Sequence, residues 1–302
     1  MKISAFSYVR NGFQYGVPFI ESIQSVLPIC DEFVVAVGDS KDGTREAIEN
    51  LNDPKIKIVD TIWDEKLTLG GKIFAQQSNI AYQNISPDTD WVIHIQADEV
   101  LHEDEYNQII QSIEIANKHP KVDGLLFPFI HFWGDYNSIR NSRRVHRNEI
   151  RAFKYNPKIR AYRDSQGFRI YENPSEQDAE KGIKLNVIKT KASIYHYNSV
   201  RNRQNMILKF HNFAYYYSRT DSKMEEQPKN EFNYHTVDRV TKFKGTHPKV
   251  MAEAIAKYDY VFEHDKSHAQ WKKNDKYIQP IEDLLGIRFG EYKNYKLLKI
   301  LK

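Results

Sequence analysis

Five short apolar runs, separated by stretches of helical spacing, leave the first 130 residues few folds to choose from. The runs are Ile3–Val9, Phe33–Val37, Ile56–Val59, Trp91–Ile95 and Gly124–Phe129. They are rich in β-branched and aromatic residues and lack a helical period, which predicts buried strands. Between them lie Pro18–Leu27, Thr44–Leu51, Gly70–Asn84 and Glu103–Ala116. These read as helices: Ile109, Ile110, Ile113 and Ala116 share one face, and Pro18 suits a first turn. A βαβα order of this kind predicts an α/β fold with a mostly parallel, doubly wound sheet flanked by helices. The 302 residues suffice for one large domain or two modest ones.

After about residue 130 the segments become shorter and more mixed. Strands are predicted at Ile150–Phe153 and Ser193–Tyr197, and a helix from Arg201 to Ser218. Residues 219–235 read as an exposed polar loop, and two helical stretches follow from about Val250. The chain closes with a basic tail, Tyr292–Lys302, that fits either an ordinary helix or a basic amphipathic one lying on a membrane surface. No apolar run approaches the roughly 18 residues of a membrane span, and the opening residues lack a signal-peptide pattern. The single Cys30 fits a reducing cytosol. A net charge of +4 is too small to imply a nucleic-acid partner.

The stretch Trp91-Val-Ile-His-Ile-Gln-Ala-Asp98-Glu99 is the most telling of the five strands, because it ends abruptly in two carboxylates. Unpaired carboxylates are costly to bury, so they mark where the strand leaves the core. Beyond the C-terminal strand ends is where open α/β sheets bind ligands. Carboxylate oxygens there suit a hard divalent cation and, through it, a diphosphate.

Four local patterns taken together resemble the inverting family 2 glycosyltransferases of the GT-A fold. They are Ser7-Tyr-Val-Arg-Asn11 at the end of the first strand, the acidic turn Val37-Gly-Asp-Ser-Lys-Asp-Gly-Thr44, Gly70-Gly-Lys72 followed by Asn79, and Gln96-Ala-Asp-Glu99 in the place of an Asp-x-Asp motif. The resemblance covers residues 1–130 well and 130–218 loosely. It departs from the family at Gln96, which replaces the first Asp, and at Gly38, which leaves Asp39 one position along.

The resemblance implies a division into a glycosyltransferase domain at 1–218, with a nucleotide-binding half at 1–130 and an acceptor half at 131–218, and a mainly helical extension at 219–302. It implies nucleotide-sugar contacts from Ser7, Tyr8, Asn11, Asp39, Lys72, Gln96 and Asp98. Mg²⁺ or Mn²⁺ would sit on Asp98, with His196 of Tyr195-His-Tyr197 returning to complete the metal site. Asp164 falls where an inverting enzyme needs the carboxylate that takes the acceptor's proton, with Asp135 and Glu99 in reserve. Glu99 could also orient a metal-bound water. The donor would be a UDP- or GDP-type sugar and the acceptor a glycan or lipid-linked hydroxyl. Bacterial surface-polysaccharide assembly, in the cytoplasm or at the inner membrane face, is the implied setting, with no nucleic acid involved.

Each motif also has a plainer reading. Asp39–Thr44 is a generic turn into a helix, with Asp42 or Thr44 as N-cap. The glycine pair is a common loop, and a histidine in a strand is often structural. The Arg-rich stretch from Arg140 to Arg163 suits a phosphate clamp but also a solvated face. Two rival functions remain. A sugar-nucleotide nucleotidyltransferase would want a Gly-rich basic loop directly after the first strand, where this chain has Tyr8-Val-Arg-Asn-Gly-Phe-Gln. A non-enzymatic polyanion or RNA binder would show steeply salt-dependent binding with no need of Asp98.

Overall fold

Alternation along the parallel strands sorts the core into two layers. Successive side chains of a strand point to opposite faces. Ile3, Ala5, Phe33, Val35, Trp91 and Ile93 therefore pack on one side, against Phe19, Ile23 and Val26 of one helix and Ile109, Ile113 and Ala116 of another. Phe6, Val34, Ala36 and Val92 pack on the other side, against Ala75, Ala81 and Tyr82. Strands buried on both faces read as continuous apolar runs, which is why the sequence marks them so clearly.

The computed structural model describes residues 1–67, 70–176, 181–217 and 232–299. Most of the expected loop at 219–235, Ser218 and the last three residues of the basic tail lie outside these. The strands are β1 (Ile3–Val9), β2 (Glu32–Val37), β3 (Ile56–Asp60), β4 (Trp91–His94), β5 (Glu99–Leu101), β6 (Gly124–Trp133), β7 (Asp135–Arg140), β8 (Asn148–Lys154), β9 (Ile159–Tyr162), β10 (Gly167–Ile170), β11 (Ile183–Lys184), β12 (Asn186–Lys189), β13 (Ile194–Ser199), β14 (Val240–Lys242) and β15 (Lys296–Leu297). The α-helices are α1 (Phe19–Val26), α2 (Thr44–Glu49), α3 (Lys72–Gln83), α4 (Tyr106–Asn117), α5 (Arg203–Tyr217), α6 (Ala252–Ala256) and α7 (Asp275–Leu285).

The central sheet runs β14-β7-β6-β8-β4-β1-β2-β3. The pairs β1–β2, β1–β4 and β2–β3 are parallel. β8 inserts antiparallel between β4 and β6. On the other edge of β6, β12 and β13 pair parallel. The expected fold class, a mostly parallel α/β sheet flanked by helices, is the one observed. The C-terminal region adds α6 and α7 and also sends β14 and β15 into this sheet. The short strands after residue 130 are two to seven residues of mixed polarity, too short for a period to show.

Gly124 illustrates how tightly β6 meets β8. A Cβ added there would lie 2.6 Å from the Ala152 carbonyl oxygen and 3.0 Å from the Phe153 Cβ. The obstacle is backbone in a paired strand, which cannot swing aside. Gly124→Ala is expected to lower stability by roughly 1–3 kcal/mol in urea unfolding; an unchanged midpoint would show that the two strands can part there at no cost.

Candidate active site

The sheet order reverses between β1 and β4. After β3 the chain crosses back to place β4 on the far side of β1, so the connections leave a crevice at the C-terminal ends of those two strands. A cleft of about 690 Å³ opens there. Tyr8, Val9 and Arg10 leave β1 into its floor, and Gln96, Ala97 and Asp98 leave β4. Its walls include the 143–149 loop, Asp164, Gln166, His196, Arg201, Lys209 and the 288–292 segment.

One buried ion pair fixes the floor. Glu99 is 0% exposed and Arg151 on β8 is 2% exposed. Arg151 donates from Nε to Glu99 Oε2 at 2.7 Å and from Nη2 to Oε1 at 2.6 Å, a bidentate geometry. Glu99 Oε2 also accepts from the Gln96 backbone N–H at 3.1 Å. Glu99 thus holds the turn and, fully buried, is not among the residues lining the cleft, which corrects the expectation that it orients a metal-bound water or takes a proton. Its neighbour Asp98 points the other way, into the cleft.

The Asp98 carboxylate meets three cationic or ionisable groups. Arg201 Nη2 donates to Oδ2 at 3.1 Å, Lys209 Nζ lies 3.9 Å from Oδ2, and His196 Nε2 lies 3.6 Å from Oδ1. Burial pushes the carboxyl up, but His196, Lys209 and Arg201 outweigh it and hold it well below the usual carboxylate range. Burial, aided by Arg201 and opposed by Asp98, pushes the Lys209 ammonium down to about 7. The Tyr197 N–H donates to the Asp98 carbonyl at 2.8 Å, which brings β13, and His196 with it, to this corner.

The histidine's orientation follows from a hydrogen-bonded chain. His131 Nε2 faces the His146 carbonyl oxygen at 2.7 Å, and a carbonyl can only accept, so Nε2 carries the hydrogen. Burial, with His196 adding to it, pushes the His131 imidazole down to about 3, so the ring is neutral and its Nδ1 bears a lone pair. The 2.8 Å contact between the two Nδ1 atoms then requires the hydrogen on His196. A neutral His196 would turn the lone pair of Nε2 toward a carboxylate oxygen. That gap calls for a positive charge, either a proton on Nε2 or a divalent cation in its place. The donor set, one carboxylate oxygen and one imidazole nitrogen backed by an outer hydrogen-bond chain, is one that can hold a divalent cation. His131, His146 and His196 also bring ligand atoms within 4.8 Å of one another.

Asp164 lines the cleft with both oxygens engaged. Oδ1 accepts from Gln166 Nε2 at 2.7 Å, and Oδ2 accepts from the Tyr217 hydroxyl. Gly71 makes this possible: it adopts φ +71°, and a Cβ there would lie 2.7 Å from the Asp164 Cβ and 2.9 Å from Tyr217 Cζ. The glycine pair therefore makes room for a carboxylate and a tyrosine.

The structure brings Tyr8, Gln96, Asp98, Asp164 and His196 together in the cleft; Ser7, Asn11, Asp39 and Lys72 are not among the residues lining it. Ser7 is buried within β1. Asn11 has φ 51° and shapes the adjoining loop by accepting from Lys41 N at 3.1 Å. Asp39 accepts from Arg10 Nη2 at 3.0 Å and so anchors a cleft-lining cation. Gly38 leaves room beside it: a Cβ there would lie 2.9 Å from Arg10 Cβ. Lys72 opens α3, half-buried. Asp135 is buried and accepts from Asn137 N and Phe262 N, away from the cleft. Of the arginine run, Arg143 and Arg147 line the cleft but are tied to Asp275, Glu282 and Glu291.

Sequence reasoning missed Arg10, His131, Glu149, Arg201 and Lys209. For Glu149 a signal existed: a carboxylate two residues from Arg151 inside a strand. Glu149 lines the cleft, is 9% exposed, and its Oε2 has no hydrogen-bond partner among the described residues.

No protein-family model and no curated protein matches the chain. Among solved structures, S. aureus TarS 1–349 is similar over 49% of this chain and 39% of that one, with 18% identity and a TM-score of 0.33. The chain thus spans about two fifths of that protein's length. TarS 1–349 in complex with UDP matches over 74% of this chain and 68% of that one, at 12% identity and a TM-score of 0.36. The 4-diphosphocytidyl-2C-methyl-D-erythritol synthase of Anaerococcus prevotii matches over 68% and 95%, at 11% identity and a TM-score of 0.36. Likenesses of this size carry no argument about activity.

Burial pushes the Glu149 carboxyl up to about 8. Its folded-state pKa thus lies above the unfolded value of about 4.3. The folded protein holds a proton that the unfolded chain releases, so stability falls as pH rises between those values. Glu149→Gln is expected to change the melting temperature little at pH 4 and to raise it at pH 9, where the gain in unfolding free energy is on the order of a few kcal/mol at most. Equal shifts at both pH values would show that this carboxyl is not perturbed.

Proposed function

We propose that the chain is a metal-dependent inverting glycosyltransferase, moving a sugar from a UDP- or GDP-type donor to the hydroxyl of a glycan or lipid-linked acceptor. The observation that supports this most is the meeting of Asp98 and His196, from distant parts of the chain, at a switch-point cleft rich in arginine and lysine. In this reading residues 1–130 serve the donor, 131–218 the acceptor, and 219–302 close the cleft. The Arg10, Arg201 and Lys209 side chains attract the donor diphosphate and stabilise the charge that grows on it as it leaves. Tyr8 and Gln96 lie where the nucleotide and its ribose would rest.

Mg²⁺ or Mn²⁺ held by Asp98 Oδ1 and His196 Nε2 would supply further charge neutralisation at the diphosphate. The acceptor oxygen attacks the anomeric carbon from the face opposite the leaving group. The bond from that carbon to the phosphate oxygen breaks, and the electron pair leaves with the nucleoside diphosphate. Asp164 takes the acceptor's proton. Work at the cytoplasmic membrane face in bacterial surface-polysaccharide assembly completes the reading.

The test is release of nucleoside diphosphate from a panel of UDP- and GDP-sugars with Mn²⁺ present. One donor is expected to turn over, and Asp98→Asn to lower the rate by roughly 100-fold or more. No turnover with any donor, together with salt-sensitive nucleic-acid binding indifferent to Asp98→Asn, would favour the polyanion-binding rival instead.

A further inference from the structure

Helix α7 is amphipathic in the reverse sense. At about 100° per residue, Asp275, Gln279 and Glu282 form one stripe, and Tyr277, Ile281, Leu284 and Leu285 form the opposite one. In a helix of a soluble domain the apolar stripe faces the core. Here the polar stripe does: Asp275, Gln279 and Glu282 are 2–4% exposed, whereas Tyr277 is 72% and Leu284 87% exposed.

The cause is the arginine run. Arg143 donates to Asp275 Oδ1 at 2.7 Å and to both oxygens of Glu282, at 3.1 and 3.0 Å, while its backbone N–H donates to Gln279 Oε1 at 3.0 Å. Arg144 also pairs with Asp275. These contacts bind the helix by its polar side and leave the apolar side outward.

Two observations say what would cover that side. The first is charge. The acids of this region are paired internally: Asp275 and Glu282 with Arg143, Asp283 with Arg239, and Glu291 with Arg147. Lys272 and Lys273, just ahead of α7, and Lys276 in its first turn are exposed and make no ion pair among the described residues. The second is continuity. Beyond α7 the exposed Ile287 leads to Phe289 and Tyr292, which are exposed and line the mouth of the cleft.

We propose that the outward face of α7, with its flanking lysines, docks the protein on an anionic lipid surface, with the mouth of the cleft facing the lipid. An apolar stripe edged by lysines is what an interfacial helix presents: apolar side chains enter the acyl boundary, and ammonium groups meet the anionic headgroups. The docking stands without the glycosyltransferase reading. Only its consequence, that the acceptor is a lipid-linked hydroxyl reached from the membrane plane, rests on that reading.

The experiment is flotation of the full chain with phosphatidylcholine vesicles, with and without about 30% phosphatidylglycerol. Binding is expected to the anionic vesicles and to weaken at about 0.5 M salt. The double variant Leu284→Glu, Leu285→Glu is expected to bind roughly tenfold less or weaker still, and the triple variant Lys272→Glu, Lys273→Glu, Lys276→Glu likewise. All these side chains are exposed, so both variants should keep the wild-type melting curve and donor turnover. No binding to either vesicle overturns the proposal. So does a wild-type dimer in light scattering that Leu284→Glu, Leu285→Glu converts to a monomer, which would make this face a contact between copies. Loss of docking with donor turnover intact separates this surface from the active site; absent donor turnover with docking intact defeats only the enzymatic reading.

Discussion

The cleft is built around the buried pair of Glu99 and Arg151. Removing two charges from water costs several kcal/mol per ion, and only close, bidentate geometry offsets that. The return is positional. Glu99 caps the Gln96 N–H and locks the turn after β4. Arg151 ties that turn to β8, the antiparallel strand beside β4. Asp98 projects from the locked turn. Leaving either charge buried without its partner would cost about 3–5 kcal/mol and would free the turn, so the loss would fall on the site as well as on the fold.

Around Asp98 the protein has gathered more positive than negative charge. Arg201 and Lys209 crowd one carboxylate oxygen, and the histidine chain aims Nε2 at the other. A carboxylate ionised so firmly has charge neighbours to spare. The surplus suits a ligand with several negative charges of its own, such as a diphosphate. The histidine chain sets a tautomer through a backbone carbonyl two residues' contacts away, and it leaves one nitrogen free to meet a cation.

Much of the fold was legible because β1, β2 and β4 are buried on both faces, so their sequences are unbroken apolar runs. The strands after residue 130 were not, since pieces such as β11 and β15 are two residues long and take their shape from their neighbours. Within the site, the sequence pointed to Asp98 and His196 but assigned Glu99 a role in the chemistry. Adjacent strand-end residues face opposite ways, and which one turns inward depends on Arg151, 52 residues along. The arginine run was legible as a charge cluster, while its partners, the polar stripe of α7, were not. A helix with apolar residues at helical spacing invites the inference that they face inward, and the pairing with Arg143 and Arg144 reverses it.

The most direct measurement is a crystal soaked with UDP and Mn²⁺, with data collected for the manganese anomalous signal. The account predicts one strong peak at roughly 2.1–2.3 Å from both Asp98 Oδ1 and His196 Nε2, with the diphosphate between it and Arg201. A diphosphate bound elsewhere, or a peak away from both side chains, would contradict it.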